Sequence, residues 1–256
     1  MKQWIVALVC ASAFLLVGAA SATDDGVWLF PASHGTGTIA AWRAQEGEAD
    51  DQGVANQAVL LEKDVAAVDT SAAAHVIGAE GHAVRFLVAL AYEYRAKDGV
   101  CGVTDPRWAL FVRGQSGREY VVNLGCKLTP SSPGAEPGWV RKTATQAFIR
   151  AETLRKGGPD AFNGDVTGVA LVFDHVVGHV FVDNIRVQTR FVRNVWTFAG
   201  DNGGTTPPGG PSFTPAQTAL LAAPLAGDEQ LSADDLLASL TPDEWAVVNA
   251  DADPAT

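Results

Sequence analysis

A carboxylate set inside an apolar run is the first place to look for chemistry in this 256-residue chain: Asp183 sits in Val180-Phe181-Val182-Asp183-Asn184-Ile185-Arg186-Val187. Strand alternation puts Phe181, Asp183, Ile185, Val187, Thr189 and Phe191 on the face expected to meet a core, because successive side chains of a strand point to opposite sides of the sheet. A carboxylate there must find a cation, an arginine or backbone N–H donors, or lie at the sheet's margin, since burying it unpaired is costly. A calcium ion would serve all its oxygens at once, which makes Asp183 the candidate metal ligand. The opposite face carries Asn184, Arg186, Gln188 and Arg190, a row of planar polar groups that a hydroxyl-rich ligand could use, with Trp139 and Arg141 as possible neighbours. Any solvent-facing antiparallel strand shows the same row.

Other constellations carry less. Asp174-His175-Val176-Val177-Gly178-His179 places two imidazoles and a carboxylate around an expected hairpin turn, a set that suits zinc or copper or simply an exposed turn. Glu46-Gly47-Glu48-Ala49-Asp50-Asp51 reads as a solvated acidic loop, and Gly35-Thr36-Gly37-Thr38-Ile39-Ala40 lacks the strand-to-helix setting that gives a dinucleotide fingerprint meaning. No G-x-S-x-G elbow, Walker loop or H-E-x-x-H occurs.

The elements that must position these groups are β-strands. Runs at 26–30, 57–62, 73–78, 83–95, 107–113, 118–124, 138–143, 146–154, 166–174 and 179–192, punctuated by Gly, Pro, Asp and Asn, predict an all-β sandwich or barrel over 23–198. Trp108 shares a strand face with Leu110 and Val112 and is expected to be buried. A basic start, the apolar run Ile5 to Val17 and Ala20-Ser21-Ala22 predict a signal peptide over 1–22. The run is shorter than a membrane-spanning helix needs, so the mature protein is expected to be secreted, extracellular or periplasmic, without a span. That leaves Cys101 and Cys126, most simply one disulfide in an oxidising compartment.

Residues 199–213 form a Gly/Pro-rich linker, and 214–256 an acidic tail with capping signals for helices near 215–222, 233–239 and 242–249. Charge is uneven. Residues 23–199 hold 20 acidic and 17 basic side chains, whereas 200–256 hold 9 acidic and no basic ones. An acidic chain without a basic stripe excludes nucleic acid and anionic membrane surfaces as expected partners. Short helices are unstable alone, so the apolar positions of the tail need a surface, either the β domain or a protein partner.

With Val169-Ala170-Leu171-Val172-Phe173-Asp174 before it, the Asp183 strand resembles the end of a jelly-roll domain of the carbohydrate-binding-module and galactose-binding-like type. Gly81 before the strand ending Tyr92-Glu93-Tyr94-Arg95, then Cys101-Gly102 and Asp105-Pro106-Arg107-Trp108, extends the resemblance over about 70–192. It implies a jelly-roll β-sandwich with a short C-terminal α-helical appendage. It also implies a structural calcium at Asp183, with further ligands near the domain's start, although Val27-Trp28-Leu29-Phe30-Pro31 stands where the family has an Asn…Phe-Glu pattern. The expected function is non-catalytic recognition of a glycan or cell-surface polymer. The alternatives are an assembly protein whose 214–256 tail docks a partner and, third, a glycan-active enzyme.

Overall fold

The computed structural model describes residues 28–48, 57–67, 69–96, 101, 105–126, 129–190, 195–198, 214–222 and 233–249. The signal peptide and linker expected from the sequence lie outside them. Among the described residues there are twelve strands: β1 (Trp28–His34), β2 (Thr38–Ala44), β3 (Gln57–Lys63), β4 (Ser71–Ile77), β5 (Leu87–Ala96), β6 (Arg107–Arg113), β7 (Glu119–Leu124), β8 (Ser131–Pro133), β9 (Val140–Thr145), β10 (Asp165–Phe173), β11 (Gly178–Thr189) and β12 (Val195–Phe198). They form two antiparallel sheets. One runs β1-β4-β10-β6-β7 and the other β2-β3-β11-β5-β9-β8, with β12 added beside β11. The chain crosses repeatedly from sheet to sheet, the wiring of a jelly-roll sandwich.

Alternation explains the core. Trp108, Leu110 and Val112 of β6 face Val169 and Leu171 of β10, and Leu90 and Tyr92 of β5 meet them from the other sheet. Trp108 is fully buried as expected, edge-on to Tyr92 at 6.1 Å. The Tyr92 hydroxyl donates to the Pro106 carbonyl at 2.7 Å, so the ring is buried without an orphaned O–H. Cys101 and Cys126 are bonded, with Cα atoms 5.6 Å apart.

One predicted strand is a helix. The segment 146–154 opens α1 (Gln146–Phe162), which follows β9 directly. Thr145 is extended and its hydroxyl accepts the Phe148 N–H, a capping contact. Ala151, Glu152, Leu154, Arg155 and Lys156 are then good helix formers. The mean pattern from 146 to 154 alternates well enough to imitate a strand, but Phe148, Ile149 and Ala151 sit on one helical face in the main core. Gly158, at φ 58°, breaks the helical path, and Pro159 restarts it.

The tail contains α2 (Pro215–Ala222), α3 (Ala233–Ala238) and α4 (Pro242–Asn249). Thr214 and Gln217 cap α2 reciprocally, as Thr241 and Glu244 cap α4. Leu221 packs on Ala73, Ala109, Phe111, Ala170 and Val172, the outer face of the first sheet. Leu236 enters the main core, with Leu237, Leu240 and Trp245 against it. These described parts of the tail pack on its own domain.

Candidate functional site

The face expected to bind ligand belongs to the second sheet, and a β-bulge decides which side chains reach it. Asp183 pairs with Glu93, but the next pair of the β11–β5 ladder is Arg186 with Ala91. Asn184 takes up the extra residue at φ 46°, a conformation Asn tolerates better than most. Parity therefore reverses at 183–184. Val180 and Val182 lie in the core before the bulge, Ile185 and Val187 after it. The continuous core face predicted for Phe181, Asp183, Ile185 and Val187 is corrected accordingly: Phe181 and Asp183 stand on the outer face.

There Phe181 joins Ala58, Leu60 and Trp139 in a small apolar cluster. The Arg95 guanidinium lies over Trp139 and Phe181, 5.1 and 5.3 Å from their centroids, and Arg95 Nη2 is bonded to Glu46 at 2.6 Å. Trp139 is only 4 % exposed, so its ring supports Arg95 instead of presenting an open platform.

Two loops close over the Asp183 end. Gly47 lies where a Cβ would strike the Gln57 backbone and come within 2.8 Å of Asp183 Oδ2. At Gly134 a Cβ would fall 2.9 Å from Glu93 Oε2. Both glycines permit close backbone approach to acids. Asp183 Oδ2 accepts the Glu48 N–H and Oδ1 the Asn184 N–H, each at 2.8 Å. Glu48 accepts from the Glu136 N–H and from Asn184 Nδ2, which turns Asn184 toward the acids. Glu93 accepts from the Ala135 N–H and from the Arg141 guanidinium. Burial first, then a hydrogen bond to Glu93, pushes Glu48 up to about 7. Glu93 is lowered: burial opposes its charge, but the bonds from Glu48, Ala135 and Arg141 prevail.

Beyond this closed end the ladder continues with short and polar side chains. Arg186, Ala91 and Thr143 are successive register partners across β11, β5 and β9, and Gln188, Ala89 and Thr145 form the next row. Two alanines of β5 thus lie between polar neighbours on both flanking strands. Arg186 Nη2 donates to Gln188 Oε1 at 2.8 Å, holding the two planar groups side by side. Arg190 is exposed, its backbone N–H bonded to the Phe86 carbonyl. Of the residues singled out from sequence, Arg186 and Gln188 come together beside the alanines, and Arg141 is bonded to Glu93 at the acidic end. Asn184 faces the acids, Asp183 and Trp139 lie beneath the loops, and Arg190 stands apart. Ala89 and Ala91 and their partners Thr143 and Thr145 were missed; an Ala-x-Ala step in a central strand was the available signal.

Asp174 and His175 do gather, but around a cation the protein supplies. They meet Asp105, the only set of three or more His, Cys, Asp or Glu within metal-holding distance among the described residues. Arg107 donates to Asp105 Oδ1 at 3.1 Å and to both oxygens of Asp174, with His175 Nδ1 at 2.9 Å from Nη1. The guanidinium occupies the middle of the set. His179 is elsewhere, edge-on to Phe181 at 6.4 Å.

Among solved structures, the chain is similar to the family 11 carbohydrate-binding module of the cellulosomal cellulase Lic26A-Cel5E of Clostridium thermocellum, with 12 % identity and a TM-score of 0.36 over 64 % of this chain and 88 % of that one. It is similar also to the C-terminal family 22 carbohydrate-binding module of Clostridium thermocellum Xyn10B, at 9 % identity and a TM-score of 0.33 over 62 % and 85 %. A third is the mannan-recognising module TmCBM27, at 11 % identity and a TM-score of 0.29 over 63 % and 88 %. No protein family and no curated protein matches the sequence. The strand order given above, and not these similarities, defines the jelly roll here.

Proposed function

We propose that this protein recognises an extended, hydroxyl-rich polymer, a glycan or cell-surface polysaccharide, outside the cell, and does so without cleaving it. The observation that carries the reading is the register that sets Ala89 and Ala91 between Arg186 and Gln188 on one side and Thr143 and Thr145 on the other. A guanidinium, an amide and two hydroxyls offer bidentate and single hydrogen bonds to sugar hydroxyls, and the small alanines let a chain lie close to the sheet. The acids of the neighbouring row are engaged: Glu93 holds Arg141 and Ala135, and Asp183 holds two N–H groups. Because the tail buries Leu221 and Leu236 on its own domain, it does not favour the assembly reading.

Affinity electrophoresis against a polysaccharide panel tests the proposal. At least one polymer should retard the protein, and Arg186→Ala and Gln188→Ala should each weaken binding about tenfold, roughly the loss of one hydrogen bond to a charged or planar group, with the melting temperature unchanged. A panel that leaves mobility unaffected, or variants that bind like the parent, would overturn it.

For the calcium expected at Asp183, the donor set does not fit: both Asp183 oxygens accept backbone N–H groups, and those of Glu48 and Glu93 are likewise engaged. We propose that Asp183 is a hydrogen-bonded latch for the 46–48 loop. Asp183→Asn turns one buried acceptor into a donor facing an N–H, and should cost about 1–3 kcal/mol, while EDTA leaves the melting temperature of the parent where it was. A drop in that temperature on chelation, restored by calcium, would sink the latch.

A further inference from the structure

At the free edge of the second sheet, Ser131 of β8 is the register partner of Lys142 of β9. Lys142 shares the inward side of its strand with Ala144 and is 5 % exposed, whereas Ser131 is exposed. The amine therefore stands behind a hydroxyl that solvent can reach. Lys142 Nζ lies 2.6 Å from Ser131 Oγ and 3.2 Å from the Thr129 carbonyl. Thr129 is itself fixed, its N–H and hydroxyl both bonded to the Gly125 carbonyl next to the disulfide-bonded Cys126. Among the described residues no carboxylate forms an ion pair with Lys142.

A buried ammonium without a counter-ion is unfavourable, and burial lowers the Lys142 pKa. Nζ donates to both Ser131 Oγ and the Thr129 carbonyl. The lowered pKa makes its proton easier to lose, and the neutral amine held at the same 2.6 Å can take the serine proton while still donating to Thr129. That is the serine–lysine form of an activated nucleophile, with nucleophile, base and a third group orienting the base.

We propose that Ser131 is a nucleophilic serine, activated by Lys142, that accepts acyl groups from small esters. Ser131 Oγ attacks the ester carbonyl carbon as Lys142 Nζ takes the hydroxyl proton. The tetrahedral adduct collapses with cleavage of the bond to the alcohol oxygen, which leaves with the proton from Nζ. Water then attacks the acyl-serine, giving its proton to Nζ, and the released Ser131 oxygen recovers it as the carboxylic acid departs. Small esters are the class because the hydroxyl is exposed on an edge strand three residues long.

The adjacent Ser132 is exposed too but pairs with Arg141, and so is an internal control. The full chain is treated with a biotinylated fluorophosphonate and, separately, with p-nitrophenyl acetate, and adducts are mapped by peptide mass spectrometry. Ser131 should be modified at least about 100-fold faster than Ser132, the lower end of what a positioned general base supplies. Ser131→Ala should remove the adduct, and Lys142→Arg, which keeps the charge but cannot act as a base, should slow labelling to the Ser132 rate. Equal labelling of the two serines, or undiminished labelling in Lys142→Arg, overturns the proposal. Should that variant not fold, the parent decides through its pH profile. An inflection below the ordinary lysine value supports Lys142 as the base; a rate that climbs with hydroxide through pH 10 without one excludes it.

Discussion

Arg107→Met should lower the unfolding free energy by about 3–5 kcal/mol, the range found when one partner of a buried charge network is removed. Arg107 is 1 % exposed and Asp105 fully buried, so neither charge is shielded by solvent. The guanidinium also bonds Asn123 at 3.0 Å, tying β7 to the turn after β10. Asp105 Oδ2 meanwhile accepts the N–H groups of Asp174, His175 and Val176. Without Arg107 two carboxylates would remain buried with one histidine between them. Burial alone would raise the Asp174 carboxyl, and it is Arg107 that holds it far below the usual carboxylate range. The deficit should therefore shrink on acidification, as Asp174 takes up a proton, and Arg107→Met/Asp174→Asn should recover part of it. Urea unfolding followed by circular dichroism at pH 7 and pH 4.5 measures both. A cost under about 1 kcal/mol at pH 7 would show the network to be dispensable. Since a domain's whole stability is about 5–15 kcal/mol, the single change should be evident in yield as well.

How far such groups were legible depended on whether their neighbours were local. Period-two runs such as Arg107–Arg113 and Glu119–Leu124 were read to within a residue, because alternation is a property of the strand itself. The helix at Gln146 was missed because Phe148, Arg150 and Glu152 alternate like a strand, while the deciding signals were a threonine cap and packing against both sheets. At Asp183 the expected face was wrong: one inserted residue with positive φ reverses parity, and Asn184 was the local hint. Arg107, Asp105 and Asp174 were each visible in the sequence, but 67 positions separate Arg107 from Asp174. Only the pairing of β6 with β10, which sets Val172 beside Arg107, brings that carboxylate within reach. The alanine and threonine rows were hidden for the same reason, since Thr143 and Thr145 acquire meaning only as partners of Ala91 and Ala89.

The same buried charges make stability fall as pH rises from about 6.5 to 9. His175 is pushed up to about 9: burial acts against its charge, but hydrogen bonds to Asp105 and Asp174 outweigh it. A base with a raised folded pKa contributes stability that is complete below its unfolded value and disappears as pH climbs through the folded one. With a ring 31 % exposed, and each pKa unit worth about 1.4 kcal/mol before solvent screening, the loss should be about 2 kcal/mol. Glu48 acts in the same sense, because an acid raised to about 7 by burial and by Glu93 keeps its proton better folded than unfolded, and its contribution drops between about 4.5 and 7. Opposing it, burial lowers His75 to about 4, so that its neutral form is favoured and stability is lost as pH falls from 6.5 through 4. The two nearly cancel below 6.5, and above it nothing offsets His175 until the buried Lys63 and Lys142, both lowered, begin to deprotonate. The melting temperature should thus peak between about pH 5 and 6.5 and then decline by several degrees, given about 2–4 °C per kcal/mol for a domain of this size. In His175→Gln the decline from pH 7 to 9 should be largely gone, which isolates that group from the lysines. A parent whose melting temperature holds or rises over that interval, or a variant that falls as steeply as the parent, would mean that the imidazole is not bound as a cation by Asp105 and Asp174.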